Sequence, residues 1–340
     1  MFNFDSFLNL PLIWGGLIAT AILLYVLLDG FDLGLGILFL FAPDEQSRDR
    51  MMNSIAPFWD GNETWLVLGG GGLFAAFPLA YAVLLPALYI PIILMLLGLI
   101  FRGVAFEFRF KATGRDRQLW DLAFHSGSLL ATFMQGMVLG GFVQGVMVAG
   151  RSFAGGPFDW LTAFSVMTGL ALVFGYTLLG ATWLVMKTDG PLQHWARRVA
   201  RYVLGFVGLG LALVSLTMPF LNEGVKEFWF SLPNFWALLP LPLITAGLFA
   251  LLWRSLGRGR EVQPFLLALT IFLMGFLGLG LSLWPWVVPY HFTLEEAAAA
   301  PESLSLLLVG AVIFLPMVLA YTAWSYYVFR GKTAENETTY

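Results

Sequence analysis

Cysteine is absent from this 340-residue chain, and histidine occurs three times only, as His125, His194 and His291. Without a thiolate there is no disulfide, no iron–sulfur cluster, no cysteine metal site and no cysteine nucleophile. Haem iron takes His, Met, Cys or Tyr as axial ligands. Only His125 falls inside an apolar run, so a buried bis-histidine haem site is excluded, and packing in an apolar chain accounts for the 12 methionines. No spacing of His, Asp and Glu matches a zinc or other metal site. Any redox cofactor is therefore expected mostly or wholly on a partner. Charge is scarce too: 11% of the residues are charged, against roughly 25% in soluble domains. That is too little to clothe a chain of this size in a water-facing surface. There is no basic stripe and the net charge is −3, which excludes a nucleic-acid partner.

What is present is apolar sequence in membrane-spanning lengths. The chain is 59% hydrophobic, with 13 Trp, 32 Phe and 10 Tyr, and aromatic rings favour the membrane interfaces. A spanning helix needs about 20 mostly apolar residues. The expected fold is an all-α integral membrane protein of about nine transmembrane helices, a single polytopic domain over residues 1–340. The spans are expected near 9–29 (with an apolar continuation to 41), 64–80, 82–105, 121–149, 159–186, 202–221, 234–253, 264–288 and 304–328. The run from Trp65 to Ala105 is long enough for two of them, turning near Phe77-Pro78 or at Pro86. Met1 to Asn9 carries no positive charge and no cleavage site, so the first run reads as a permanent helix rather than a removed signal.

Nine spans also sort the charges. With that count, 16 of the 18 Lys and Arg residues fall on one side, and Arg151 and Lys226 alone on the other. Basic residues mark the cytoplasmic side, so the N-terminus is expected outside, in the periplasm, and the C-terminus inside. The longest connection, about 42–63, leaves no room for a soluble domain. The functional site is then expected within the membrane, at its edges or on a partner.

Ionisable side chains within a bilayer are costly, so each is a functional candidate. Asp29 and Asp32, at i and i+3, lie on one helix face. A single helix from Asn9 to Ala42 would be about 50 Å long against a core of about 30 Å. The pair is thus either an interfacial cap for a second helical piece or a charge-handling site. Asp60, Asn62, Glu63 and Thr64 follow, between Trp59 and Trp65 and just ahead of the second span. They read as a capped helix start with aromatic anchors, or as a polar funnel leading protons or a polar ligand inward. Arg102 and Glu107 lie near the end of the third span, with Asp121 and His125 near the start of the fourth. An arginine in lipid needs a carboxylate, and Asp121, Asp29 and Asp32 are the candidates for Arg102. His125 reads either as a hydrogen-bonded packing residue or as a proton relay. Gly69 to Gly72 lack the Lys-Ser/Thr of a phosphate loop, and suit close packing against another helix, in this chain or in a partner subunit.

Four of these segments together resemble a known family. They are Asp29-Gly-Phe-Asp-Leu-Gly-Leu-Gly36, Asn53-Ser-Ile-Ala-Pro-Phe-Trp-Asp-Gly-Asn-Glu-Thr-Trp65, Gly70-Gly-Gly-Leu-Phe-Ala-Ala-Phe-Pro78 and Phe101-Arg-Gly-Val-Ala-Phe-Glu-Phe-Arg109. They resemble subunit II of the cytochrome bd quinol oxidases, and look closest to the cyanide-insensitive branch. The likeness is dense over residues 25–125; beyond that it rests on helix count and on Tyr321-Thr-Ala-Trp324. The resemblance implies a complex of the bacterial cytoplasmic membrane that oxidises quinol, reduces dioxygen to water and takes protons from the cytoplasm, generating proton-motive force. It implies subunit I as the partner, holding two haems b and a haem d (or a further b), and no haem in this chain. A structural quinone or lipid in this subunit, and one or more small single-helix partners, stay open.

The resemblance also implies roles. Asp60 matches the opening of a proton path, which Glu63, Asp29 and Asp32 are expected to continue. Trp65 matches a position near a dioxygen route. Asp32, Arg102 and Asp121 match positions linked to haem retention or assembly, and Glu107 and His125 are grouped with them as membrane ion-pairing candidates. Phe58 stands where some members have His, so a histidine-assisted proton uptake is absent here. From another class, Gly- and Pro-interrupted helices with membrane carboxylates suit a proton-coupled secondary transporter. Against it, nine helices do not divide into equal repeats. A purely structural subunit with no proton role is the third reading.

Overall fold

The computed structural model describes residues 9–333; the expectation for residues 1–8 lies outside them. In lipid, a segment must satisfy its own backbone hydrogen bonds, and almost all of the apolar sequence is accordingly helical. The order is α1 Leu10–Leu38, with a tighter turn over Phe39–Phe41; α2 Glu45–Ile55; α3 Trp59–Ala76; α4 Pro78–Arg109; and α5 Gly114–Gln144. Then come a small hairpin, β1 Val148–Ala149 with β2 Ser152–Phe153, and α6 Ala163–Lys187, α7 Gly190–Leu221, α8 Glu223–Phe230, α9 Asn234–Leu238, α10 Pro240–Gly257 and α11 Gln263–Leu283. A second hairpin, β3 Trp286–Val288 with β4 Phe292–Thr293, a single turn α12 Leu294–Ala297, and α13 Pro301–Val328 complete it.

Among the described residues, eight helical segments are long and apolar enough to cross a membrane, not nine. The exception is α3. It is a helix of 18 residues, but Asp60, Asn62, Glu63 and four glycines leave it short of that apolarity. Several expected boundaries also differ. The second span is expected from residue 64, whereas α3 begins at Trp59, so the Asp60–Thr64 cluster is inside the helix rather than ahead of it. The sixth was placed from residue 202, whereas α7 begins at Gly190 and carries Arg197, Arg198 and Arg201 on helix. Hydropathy stops at the first charges, but a helix continues past them where nothing breaks the backbone. The fourth was extended to residue 149, but α5 ends at Gly145 with φ of 83°, a left-handed position that glycine takes without strain. The two hairpins were not anticipated. Between α3 and α4 the break is at Phe77 (φ −130°, ψ 64°), because a residue before proline avoids the helical region. Pro86 lies inside an unbroken α4.

α1 packs against α3, α5 and α6, and α4 runs along α5. α6 is the most enclosed, with every residue from Gly175 to Val185 buried. α7 and α11 flank α6, α10 packs against α7 and α11, and among the described helices α13 touches only α1 and α3 to any extent. Helix approach at the centre is set by glycine. The backbone of α1 at Gly34 meets the backbone of α6 at Tyr176 and Gly180 with no room for a Cβ on either glycine. The connections α1–α2, α4–α5, α6–α7 and α10–α11 and the tail after α13 share one end of the bundle. Arg48, Arg109, Lys187 and Arg258 gather there, and it is called the basic end below.

Candidate functional site

α1 passes the two aspartates without a break, so they are not a cap on a second piece. Both lie in the helix interior at 0% exposure, and Arg102 of α4 is 1% exposed beside them. Arg102 Nη2 is 3.0 Å from Asp29 Oδ1 and 3.8 Å from Asp32 Oδ2, while Nη1 is 3.6 Å from Glu63 Oε2 of α3. The guanidinium also stands over the Trp59 ring, 5.7 Å from its centroid. Asn62 Nδ2 donates to Asp32 Oδ2 at 2.7 Å and to the Leu28 carbonyl at 3.3 Å. Three helices thus bring one guanidinium against three carboxylates, two of them fully buried. The fit is loose by hydrogen-bond standards. The three guanidinium nitrogens of Arg102 and both oxygens of Asp29 make no aligned hydrogen bond, nor do the hydroxyls of Tyr25 and Tyr176 and the indole N–H of Trp65.

Glu63 connects the centre to solvent. Its side chain is 28% exposed, and Asp60, one turn earlier on the same face, is exposed. Exposure therefore falls along Asp60, Glu63 and then Arg102 with its aspartates. Trp65, two residues beyond Glu63 and so about half a turn on, is buried against Tyr25 and Ala21. Phe58, in the position noted above, is buried and stacks on Tyr326 with ring centroids 4.4 Å apart.

Asp121 does not reach Arg102. It belongs to a second cluster at the basic end, where it accepts from Arg109 Nε and lies 3.2 Å from Arg48 Nε. Arg109 Nη1 also donates to Asp49 Oδ1 at 2.7 Å, and Arg117 joins Asp49 to Glu45. Arg109 is wholly buried, its guanidinium 5.0 Å from the centroid of the Phe39 ring. From sequence this arginine counted only as a loop charge, because its burial depends on α2 folding back over it. Removing the carboxylate of Asp121 takes one of two carboxylate partners from the buried Arg109 and the partner of Arg48. Asp121→Asn is expected to cost about 1.5–3 kcal/mol, the worth of a charged hydrogen bond, and to shorten the half-life of the detergent-solubilised protein at fixed temperature.

Glu107 and His125 are in neither cluster. Glu107 is exposed on α4. His125 is half-buried, its Nδ1 3.3 Å from the Gly36 carbonyl and its ring edge-on to Phe41, which is a packing position. His194 and His291 are both exposed. Among the described residues, no group of three or more His, Asp or Glu side chains is arranged to hold a metal ion. Two participants in the centre gave no signal in the sequence. Tyr326, on the last helix, donates to Asn62 Oδ1 at 2.9 Å, and Tyr176, on α6, packs its ring against Gly30.

Comparison with known proteins gives a consistent result. The family model of cytochrome bd terminal oxidase subunit II matches residues 10–329. The chain is 31% identical to cytochrome bd ubiquinol oxidase subunit 2 of Bacillus subtilis over 337 residues, covering 96% of this chain and 97% of that protein. It is 30% identical to cytochrome bd-I ubiquinol oxidase subunit 2 of Escherichia coli, covering 96% of both. In fold it resembles a chain of the bd oxidase structure from Geobacillus thermodenitrificans, with a TM-score of 0.72 at 21% identity, over 95% of this chain and 98% of that one.

Proposed function

Because the chain belongs to the cytochrome bd terminal oxidase subunit II family, we propose that it scaffolds the haem-bearing subunit I of a quinol oxidase and carries protons toward it. It is a multi-pass membrane protein, and membership places it in an oxidoreductase complex that contains haem, quinol and a subunit I. The basic end faces the cytoplasm by the distribution of Lys and Arg, and the membrane is the bacterial inner membrane. Protons consumed when dioxygen becomes water are drawn from that side, which adds to the proton-motive force.

The graded exposure from Asp60 through Glu63 to the Arg102 centre carries this reading. A proton taken up at Asp60 meets a second carboxylate one turn on, then two more held against a single guanidinium. The positive charge keeps the carboxylates soluble in a low dielectric, and their excess over it gives an arriving proton a place to rest. Trp65 walls this region next to Tyr25, on the side toward the proposed dioxygen route. The histidines do not fit a haem: one is engaged with a backbone carbonyl and two are exposed. The haems, two b with a d or a third b, are therefore assigned to subunit I, and no step is routed through them here. The transporter reading has no support among the relatives.

Asp60→Asn tests the path. In the purified oxidase it is expected to slow quinol-driven oxygen consumption about tenfold or more, a loss typical of removing a proton-transfer group, with the reduced-minus-oxidised haem spectrum unchanged. An unaltered rate would remove Asp60 from the path and leave the subunit a scaffold.

A further inference from the structure

α13 is exposed along most of its length, with only Leu304 fully buried. It docks at its first turns, where Trp14 Nε1 donates to the Leu304 carbonyl at 3.1 Å, and again at its last. Ser325 Oγ donates to the Pro57 carbonyl at 3.4 Å, and the Tyr326 ring lies on Phe58 at an interplanar angle of 18°. The chain then continues as a strap over the basic end. Lys187 Nζ, at the end of α6, donates to the carbonyls of Phe329 and Gly331, and Thr333 N donates back to the Lys187 carbonyl at 2.9 Å. Arg50 Nη2 donates to the Thr333 carbonyl at 3.1 Å, and Lys332 pairs with Glu261 at 2.9 Å. The Lys187 ammonium also faces the rings of Phe58 and Trp183, at 5.4 and 5.1 Å. So many anchors over five residues fix the end of α13 and, with it, the phenol of Tyr326.

That phenol meets Asn62, which is 1% exposed. The amide has an acceptor end and a donor end, and the surroundings leave it one orientation. Its N–H groups face Asp32 and the Leu28 carbonyl, both acceptors, so a flipped amide would set oxygen against oxygen twice. Its oxygen accepts from Tyr326. Asp32, in turn, is the more distant of the two aspartates from Arg102, so the amide is its nearest polar partner. We propose that Tyr326 is a positioning residue for the Asp32–Arg102 centre: its hydroxyl fixes the Asn62 amide as the donor to Asp32, and the C-terminal strap of residues 329–333 holds Tyr326 in place. This deepens the proton reading above and rests on it.

Tyr326→Phe keeps the ring stack on Phe58 and removes the hydroxyl alone. The Asn62 oxygen then has no donor in a closed site, and the amide no longer holds Asp32 firmly. In the purified oxidase, kcat for quinol-driven oxygen consumption is expected to fall about fivefold, the rate equivalent of one neutral hydrogen bond, with KM for quinol and the haem spectrum unchanged. Asn62→Leu removes the relay itself and is expected to lower kcat at constant KM by at least as much. Adding Tyr326→Phe to it is expected to cost nothing more, since a residue acting through Asn62 has nothing left to act on. A structural role would instead add its loss in the double variant, and that overturns the proposal. So does wild-type kcat in Tyr326→Phe or in Asn62→Leu; the latter decides the matter if the former does not assemble. Asp60→Asn measured beside them separates the two levels. Slowing there with normal turnover in Tyr326→Phe sinks the positioning role and leaves the path. Normal turnover in all three sinks the proton reading itself.

Discussion

Replacing Arg102 by leucine is expected to abolish the assembled oxidase rather than merely slow it. The side chain is 1% exposed and is the cation that faces Asp29 and Asp32, both at 0%. Burying a charge costs several kcal/mol even after relaxation, and removing one partner of a buried pair typically costs ~3–5 kcal/mol because the other charge is left uncompensated. Here two carboxylates are stranded, with Asn62 donating to Asp32. The measurement is haem per unit of membrane protein, from reduced-minus-oxidised spectra, together with the amount of this subunit on an immunoblot. Both are expected to fall to near background. Arg102→Lys keeps the charge but loses the fork that spans Asp29 on one nitrogen and Glu63 on another, so partial assembly is expected. Normal haem content and turnover in Arg102→Leu would mean that the ion pairs are dispensable, and the centre would lose its claim to function.

Gly34→Ala is expected to be as damaging, although it adds one methyl and no charge. A Cβ on Gly34 would lie 1.7 Å from the backbone carbonyl oxygen of Tyr176 and 2.5 Å from its carbon, and a Cβ on Gly180 would lie 2.5 Å from the backbone of Gly34 and Leu35. These are backbone atoms, so no rotamer change relieves the clash; α1 and α6 must separate. Overpacking a core costs about 1–3 kcal/mol where side chains can shift, and more where they cannot. Separation would also carry Asp29 and Asp32 away from Arg102, since all of them depend on the same seating of α1. The expected result is loss of the subunit from membranes, read by immunoblot. Gly247→Ala is the control: a Cβ there meets nothing within 4 Å, and alanine favours the helix by up to about 1 kcal/mol. It is expected to accumulate normally. Wild-type levels of Gly34→Ala would show that the two helices do not approach as closely as described.

The two substitutions mark where reading the sequence stops. Asp29, Asp32 and Arg102 each stand out because a charge in an apolar run is expensive, a cost that is a property of the run alone; Glu63 stands out by the polar cluster it shares with Asp60, Asn62 and Thr64 between two tryptophans. Which carboxylate Arg102 meets was open among Asp29, Asp32 and Asp121; the pairing with Asp29 follows from α4 lying where α1 and α3 present their faces. Arg109 carries no such signal, for the converse reason. Its own stretch looks like the edge of a loop, and it is enclosed by α2, the start of α5 and the turn at Phe39. Glu107 and His125 were nominated by type, but helix rotation turns the first outward and sets the second against a backbone carbonyl. Tyr326 could not be found from its surroundings in sequence, because its partner, Asn62, is 264 residues away.

The sequence by itself determined that this is a membrane chain of long apolar helices, and which few polar side chains must be explained. Both follow from transfer into lipid, which acts on each segment according to its own composition. Tertiary structure alone decided the pairings: Arg102 with Asp29, Arg109 with Asp121, Tyr326 with Asn62. Hydrogen bonds and ion pairs act over a few ångströms, and which groups come that close is set by how helices seat against one another at contacts such as Gly34 on Gly180.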